Sequence, residues 1–526
     1  MKVALTIRDH IDRAELVYGQ RIGVIDEPDQ PAPPLCAVDG GPLTYAALAE
    51  RSRALGAGLE SLGVPQGGRV AMVSQNSARL LTLLYGAPAS GRIAVPVNFR
   101  LSPVEVAYIV EHCGADVLLV DPELEAALAD VTAPTKLTIG TDTDEILYRH
   151  DLEASPWEPD EDATAHINYT SGTTARPKGV EMTHRNEWVN AATFGWQAGV
   201  SDRDVYLHTL PMFHCNGWGM PFATAAMGVT QVVLRKVDGP EILRRVERHG
   251  VTLMCGAPAV VSMVLDAAAS WDGEVPGRDR VRIIVAGAPP PTSIIERVEA
   301  ELGWEFIQIY GLTETAPLLT MSRGRSEWDD LTPGDRARKL VRAGAPALGV
   351  RISTDADGEL LARSNTVLKG YWNQPEATEA ALAGGWFHTG DGGVIDDEHY
   401  VTVVDRKKDV IISGGENVSS IEVEDALFGH PAVIEAAVIG VPNDKWGETV
   451  KALVVLDPDS DLGRLAEVEP ESVQRTLIAH CREVLAHYKC PTSVEVRTEL
   501  ERTATGKLQK YKLRAPYWEG RERQVN

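Results

Sequence analysis

The chain has 526 residues, 44% of them hydrophobic and 24% charged, and carries a formal net charge of −24. That length calls for two or three domains with ample cores, and the composition is that of a soluble globular protein. So acidic a balance argues against nucleic acid and anionic membrane surfaces as partners, and it makes every Lys or Arg beside a candidate anion site informative.

Six cysteines (Cys36, Cys113, Cys215, Cys255, Cys481, Cys490) are scattered without a CxxC pair. This fits reduced thiols in a cytoplasm rather than a disulfide frame or a zinc site. The first ten residues meet charges too early for a signal peptide. No apolar run approaches the ~18 residues of a membrane helix. A cytoplasmic location with no transmembrane segment is expected.

From about Leu43 to Gly311, helical and strand patterns alternate. Leu55, Leu59 and Leu62 sit at helical spacing. The runs 70–73, 93–97 and 116–120 read as buried strands, as do 205–207, 232–234, 253–255 and 283–285, most of them followed by a helical stretch. Such alternation predicts an α/β fold of helix-covered, mainly parallel sheets, with chemistry in loops at the carboxyl ends of strands. Within this region Tyr169–Val180 packs five hydroxyls, Gly172, Gly179, Arg176 and Lys178 into twelve residues. Backbone N–H groups, hydroxyls and cations in one loop suit a polyphosphate about to leave. A Walker loop needs Gly, four residues, then Gly-Lys-Ser/Thr; five residues after Gly172 stands Pro177, so this loop is of another kind. Gly287–Pro291 and Tyr310–Glu314 also fall just after strands.

Beyond Gly349 the pattern becomes strand-rich as far as about Val404, and a break falls at 405–409. A small α/β unit follows. Ser419 and Glu422 read as a capping box opening a helix that ends near Gly429 and Pro431. Val473, Leu477, Ile478, Cys481, Val484 and Leu485 form one apolar helical face, and 457–472 reads as an acidic surface loop. The expected organisation is a large N-terminal domain, 1–405, with a strand-rich subdomain, and a small mobile α/β C-terminal domain, 406–526.

The loop 169–180, Tyr310-Gly-Leu-Thr-Glu314, Trp386-Phe-His-Thr-Gly-Asp391, Asp405-Arg406 and Thr503-Ala-Thr-Gly-Lys507 occur in order along nearly the whole chain. The set resembles the adenylate-forming (AMP-binding) superfamily in its acyl-CoA synthetase, or fatty-acid–CoA ligase, branch. One departure is Ala175, where the usual loop has Gly. The resemblance implies adenylation of a carboxylic acid by ATP with Mg²⁺, then transfer to CoA. It implies that Lys507, Glu314 and Thr170 are catalytic, with Thr170 and Glu314 holding the metal. Ser171, Gly172, Thr173, Thr174, Lys178, Gly287, Ala288, Pro289, Tyr310, Gly311, Thr313, Asp391 and Arg406 would bind the nucleotide, with Tyr310 on the adenine and Asp391 on the ribose. His214, Asn216, Trp218 and Gly311 would shape the acyl pocket. Lys408, Gly414 and Gly415 would serve the hinge and the passage of CoA.

Each of these residues has a plainer reading: an exposed acidic turn for Glu314, a Gly-Asp turn for Asp391, a surface charge for Lys507. Their agreement in order favours the site. His214 stands beside Cys215, but sequence neighbours seldom point at each other and no third orienting group is evident. Peptide-synthetase domains hold an α-ammonium with an Asp in this part of the pocket, a role that suits His214 poorly. Acetate-specific relatives carry Trp at the position of Gly311; its absence implies a longer acid, medium-chain or similarly apolar. The rivals are an acyl-AMP ligase that loads a carrier protein and a homologue without catalysis. Homodimers are common in the family, though no sequence signal specifies one here.

Overall fold

The computed structural model describes residues 1–35, 41–170, 177–406, 409–413, 416–443, 446–466, 468–502 and 508–519. Among these residues, four sheets organise an α/β fold. One sheet has the strand order 345–346, 318–322, 305–311, 282–285, 253–256, 205–208, 230–233, 22–25 and 43–44. Its six strands from Glu305–Gly311 to Ile22–Ile25 run parallel. A second sheet has the order 370–371, 178–183, 164–170, 93–97, 69–73, 117–120 and 135–138, again parallel through its centre.

The central strands are short Val/Ile/Leu runs because helices cover both faces. Ile93–Val97 and Val117–Val120 are buried at every position. The ladder between Ile93–Val97 and Thr164–Thr170 is confined to Ala94 and His166. Two residues on stands Pro96, which lacks the N–H a further rung would use.

The strand-rich stretch forms an antiparallel sheet of strands 351–354, 359–363, 387–395 and 401–406. The chain from Ile411 onward has separate apolar cores. One gathers Ile411, Val423, Leu427, Val438, Val454 and Leu477, and a smaller one joins Ile439, Leu453, Leu500 and Leu513.

Three local expectations change. The acidic segment 457–472 is not one loop, because Asp461–Leu465 and Pro470–Val484 are helical. In the second helix Val473, Leu477 and Cys481 face the core, while Val484 lies at its end and is 63% exposed. Ser419 caps the helix Ser420–Phe428 through Glu422 N–H, at 3.3 Å. The Glu422 carboxylate bonds Lys489 instead, at 2.7 Å to each oxygen. No helix among the described residues is long and apolar enough to cross a membrane.

Candidate active site

Parallel strands aim their carboxyl ends the same way. In the first sheet those ends carry Tyr310 and Gly311, then Gly287–Pro289, then Gly256, then the segment leading to His214. Gly287, Ala288 and Pro289 are exposed, and Gly287 has φ of +96°, a backbone a side chain would strain. In the second sheet Thr164–Thr170 ends at Thr170, which pairs with Lys178 across an antiparallel register, so both ends of the Ser/Thr/Gly loop start side by side.

One side chain joins the strand Lys178–Thr183 to the turn that carries Glu314. Tyr371 lies on the short strand Gly370–Tyr371, paired with Lys178–Thr183. Its hydroxyl donates to Glu314 Oε1 at 3.0 Å, and Lys178 Nζ sits 4.8 Å from its ring centroid. A cation over an aromatic face is attracted by the ring quadrupole. The segment is pinned by its backbone: Leu368 N–H donates to Glu314 O at 2.8 Å and Trp372 N–H to Gly179 O at 2.8 Å. Burial pushes the Tyr371 phenol well up from its ordinary range, and Glu314 adds to the shift. It therefore stays protonated and remains a donor.

A second link joins the first sheet to the antiparallel subdomain. Tyr310 Oη donates to Asp391 Oδ2 at 2.8 Å. Asp391 is buried and stands opposite Arg406 across the hairpin of Phe387–Ile395 and Val401–Arg406. The structure thus gathers Tyr310, Asp391 and the backbone of Arg406 on one side, and Lys178, Glu314 and Thr170 on the other. Glu314 and Thr170 offer hard oxygen donors, which suit Mg²⁺ held by one carboxylate and substrate phosphates. Among the described residues no cluster of three or more His, Cys, Asp or Glu could hold a metal unaided.

His214 precedes a turn in which Cys215, Asn216, Gly217, Trp218 and Gly219 all have positive φ. Met212, Phe213, Asn216 and Trp218 are buried there and His214 is partly exposed. Phe213 packs edge-on against Phe99, with centroids 5.6 Å apart.

Gly311 needs a different explanation from pocket width. A Cβ at this position would lie 1.6 Å from the Pro317 carbonyl oxygen and 3.2 Å from Leu319 N. The backbone of the following strand occupies the space, so glycine is required by that close approach, and an open acyl pocket does not follow from it.

The C-terminal unit also reaches this region. Asp425, on Ser420–Phe428, accepts from Thr292 N–H at 2.9 Å and from Thr292 Oγ1 at 3.3 Å. Thr292 opens a helix that has no side-chain cap of its own, just after Gly287–Pro291.

Comparison with known proteins gives the family. Residues 25–372 match the AMP-binding enzyme family and residues 422–507 the AMP-binding enzyme C-terminal domain. The chain belongs to the AMP-binding enzyme family. Within it, the chain falls in the acyl-CoA synthetase branch. It is 35% identical to the 2-methylpropanoate–CoA ligase CCL4 of Humulus lupulus, over 97% of this chain and 94% of that protein. It is 35% identical to the acetate/butyrate–CoA ligase AAE7, peroxisomal, of Arabidopsis thaliana, with the same coverage. A solved structure of O-succinylbenzoate CoA synthetase from Bacillus subtilis with ATP and a magnesium ion superposes with a TM-score of 0.77, at 28% identity over 96% of this chain and 99% of that one.

For an AMP-binding enzyme, several expected site residues lie outside the described residues: Ser171, Gly172, Thr173, Thr174, Lys408, Gly414, Gly415 and Lys507. Thr170, Lys178, Gly287, Ala288, Pro289, Tyr310, Gly311, Thr313, Glu314 and Asp391 lie at the strand ends or in the loops just described. Sequence reading missed Tyr371. Its signal is faint: an aromatic in Gly-Tyr-Trp on a two-residue strand, 57 positions from Glu314.

Proposed function

We propose that this AMP-forming acid–CoA ligase activates a short-branched or medium-chain apolar acid. In this reading the acid's carboxylate attacks the α-phosphorus of ATP and pyrophosphate leaves. CoA thiolate then attacks the acyl carbonyl and AMP leaves. The observation that carries the nucleotide half is the Tyr371 bridge between Lys178 and Glu314, together with Tyr310 on Asp391. A residue that fixes both sides of a phosphate site lowers the reorganisation the transition state demands.

Asp391 accepts the ribose hydroxyls, with Tyr310 holding the carboxylate still and its ring lying along the base. Thr170 and Glu314 would hold Mg²⁺, which neutralises charge as the phosphate bond breaks. Lys178 orients the phosphates. Lys507 meets the acid and the α-phosphate during adenylation and withdraws for thioester formation. We place the domain boundary near Asp405–Asp409, with Lys408 as hinge and Gly414 and Gly415 admitting the pantetheine arm. The separate core from Ile411 onward supports that division.

The acid class rests on the similarity to ligases named for 2-methylpropanoate and for acetate/butyrate, and on the apolar side chains Met212 and Trp218, buried at the turn after His214. Pyrophosphate release with ATP, Mg²⁺ and CoA, across acids from acetate to palmitate with branched and aryl members, tests it. A peak at branched C4–C5 acids or at medium chain lengths is expected. A peak at aryl acids overturns the assigned acid class. AMP release that ignores CoA but requires a carrier protein overturns the acceptor.

A further inference from the structure

The five positive-φ residues after His214 have values of 46°, 49°, 61°, 62° and 73°. Cys215, Asn216 and Trp218 pay about 1–2 kcal/mol each for this backbone. A run of this kind persists only where its surroundings over-determine it.

Buried side chains on two elements do so. Glu187 and Asn190 stand at i and i+3 on the helix His184–Gln197, hence on one face. Glu187 Oε1 accepts from Asn216 Nδ2 at 2.5 Å. Asn190 Nδ2 donates to Trp218 O at 3.1 Å, while its Oδ1 accepts from Leu318 N–H at 3.2 Å. From the strand Thr164–Thr170, Asn168 Nδ2 donates to Asn216 Oδ1 at 3.1 Å and to Phe213 O at 3.3 Å. Glu187, Asn190 and Asn168 are each 1% exposed and Asn216 is 0% exposed. Gly219 closes against the same helix: a Cβ there would meet Asn190 Nδ2 at 2.4 Å.

Behind Glu187 lies His166, fully buried, with Nε2 3.2 Å from Leu84 O. A carbonyl only accepts, so Nε2 carries the hydrogen and Nδ1 is left an acceptor. That Nδ1 is 3.5 Å from Glu187 Oε1 and has no hydrogen-bond partner. Neither Glu187 nor His166 belongs to the nucleotide site.

We propose that Glu187 is a positioning residue for the acyl pocket: with Asn190 it holds the left-handed turn carrying Asn216 and Trp218, and so sets which acids bind without touching them. The proposal rests on reading that turn as the pocket wall. Burial pushes the Glu187 carboxyl up to about 8 and the His166 imidazole down to about 3. Burial thus disfavours charge on both groups, and the carboxyl serves the turn through the bond it accepts from Asn216.

Steady-state kinetics of Glu187→Leu, Glu187→Gln, Asn190→Ala and Trp218→Ala test this, with KM measured separately for acid and ATP. Loss of the buried bond should raise the acid KM about tenfold in Glu187→Leu and Asn190→Ala and broaden the chain-length preference, with KM for ATP unchanged. Glu187→Gln should stay within about twofold of the parent. Its Oε1 can still accept from Asn216 Nδ2. The proposal is overturned if Glu187→Leu and Asn190→Ala keep the parent acid KM and preference, if KM for ATP rises by the same factor, or if Glu187→Gln is as impaired as Glu187→Leu. Trp218→Ala separates the two readings. If it alters acid preference while the Glu187 and Asn190 variants do not, the pocket stands and the positioning role falls. If none alters it, the pocket reading falls too.

Discussion

Tyr371→Phe removes one oxygen and leaves the ring in place. The hydroxyl that donates to Glu314 at 3.0 Å is lost, while the face beneath Lys178, 4.8 Å from the ammonium, stays. A hydrogen bond to an ionised group is worth about 1.5–3 kcal/mol in proteins. Both partners here are partly exposed, so the low end applies: about 1.5 kcal/mol, or roughly tenfold. If Glu314 holds Mg²⁺, the loss appears as a higher Mg²⁺ requirement and a KM for MgATP about tenfold higher, with the acid KM unchanged. Tyr371→Leu also removes the ring face, adding about 0.5–1 kcal/mol, a further two- to fivefold. Pyrophosphate release, titrated in Mg²⁺ at fixed ATP and then in ATP at saturating Mg²⁺, reads both. An unchanged Mg²⁺ curve for Tyr371→Phe would refute the bridging role. A loss in Tyr371→Leu no larger than in Tyr371→Phe would remove Lys178 from the account.

Gly311→Ala should cost at least about 1–3 kcal/mol of stability by overpacking, because its Cβ would sit 1.6 Å from the Pro317 oxygen; a melting temperature equal to the parent's would contradict this. Lys507→Ala should nearly abolish acyl-adenylate formation yet spare CoA attack on preformed acyl-AMP, and equal loss in both half-reactions would remove the assigned role. Acid should unfold the protein early. Burial holds His10, His184 and His208 down to about 4 and His166 to about 3, against an ordinary 6.5. Below pH 6.5 the unfolded chain binds protons that the folded one refuses, so the stability these groups contribute is lost as pH falls towards 4, at up to about 1.4 kcal/mol per pH unit for each. Glu187 has the opposite sign: its contribution declines as pH rises from 4.5 to about 8. Four histidines outweigh one carboxyl, so the urea midpoint should drop steeply below pH 6.5, and a midpoint flat from pH 7 to 5 would defeat the reasoning.

The parts legible in the sequence share a physical trait: their meaning is local. The strands 69–73, 93–97 and 117–120 announce themselves because a strand buried on both faces must be apolar throughout. The segments 169–180 and Tyr310–Glu314 are readable because each carries its candidate polar groups in contiguous residues. Failures begin where a residue's surroundings lie elsewhere. Gly311 looked like an open pocket position, yet what fills its side-chain space is the Pro317 carbonyl, six residues on, brought back by an antiparallel turn with a register shift. Ser419 and Glu422 had the spacing of a capping box, but Lys489, 67 residues away, takes the carboxylate.

The same distinction separates the residues of the motifs from those that hold them. Tyr371 reaches Glu314 across 57 positions, Asn216 reaches Glu187 across 29, and Thr292 reaches Asp425 across 133. Tyr371, Glu187 and Asp425 lie in none of the motifs, because each is chosen by the fold's geometry rather than by the ligand's. The Asp425 contact shows what this permits. A carboxylate on the C-terminal unit caps a helix that the N-terminal sheet leaves uncapped, immediately after the loop Gly287–Pro291. A rotation of that unit would have to break this bond or carry Thr292 with it, so it would be coupled to the start of the helix after Gly287–Pro291. An uncapped helix start costs about 0.5–2 kcal/mol, a severalfold bias towards whichever placement keeps the bond. That bias is carried by a pair of residues that no local pattern in the chain would have joined.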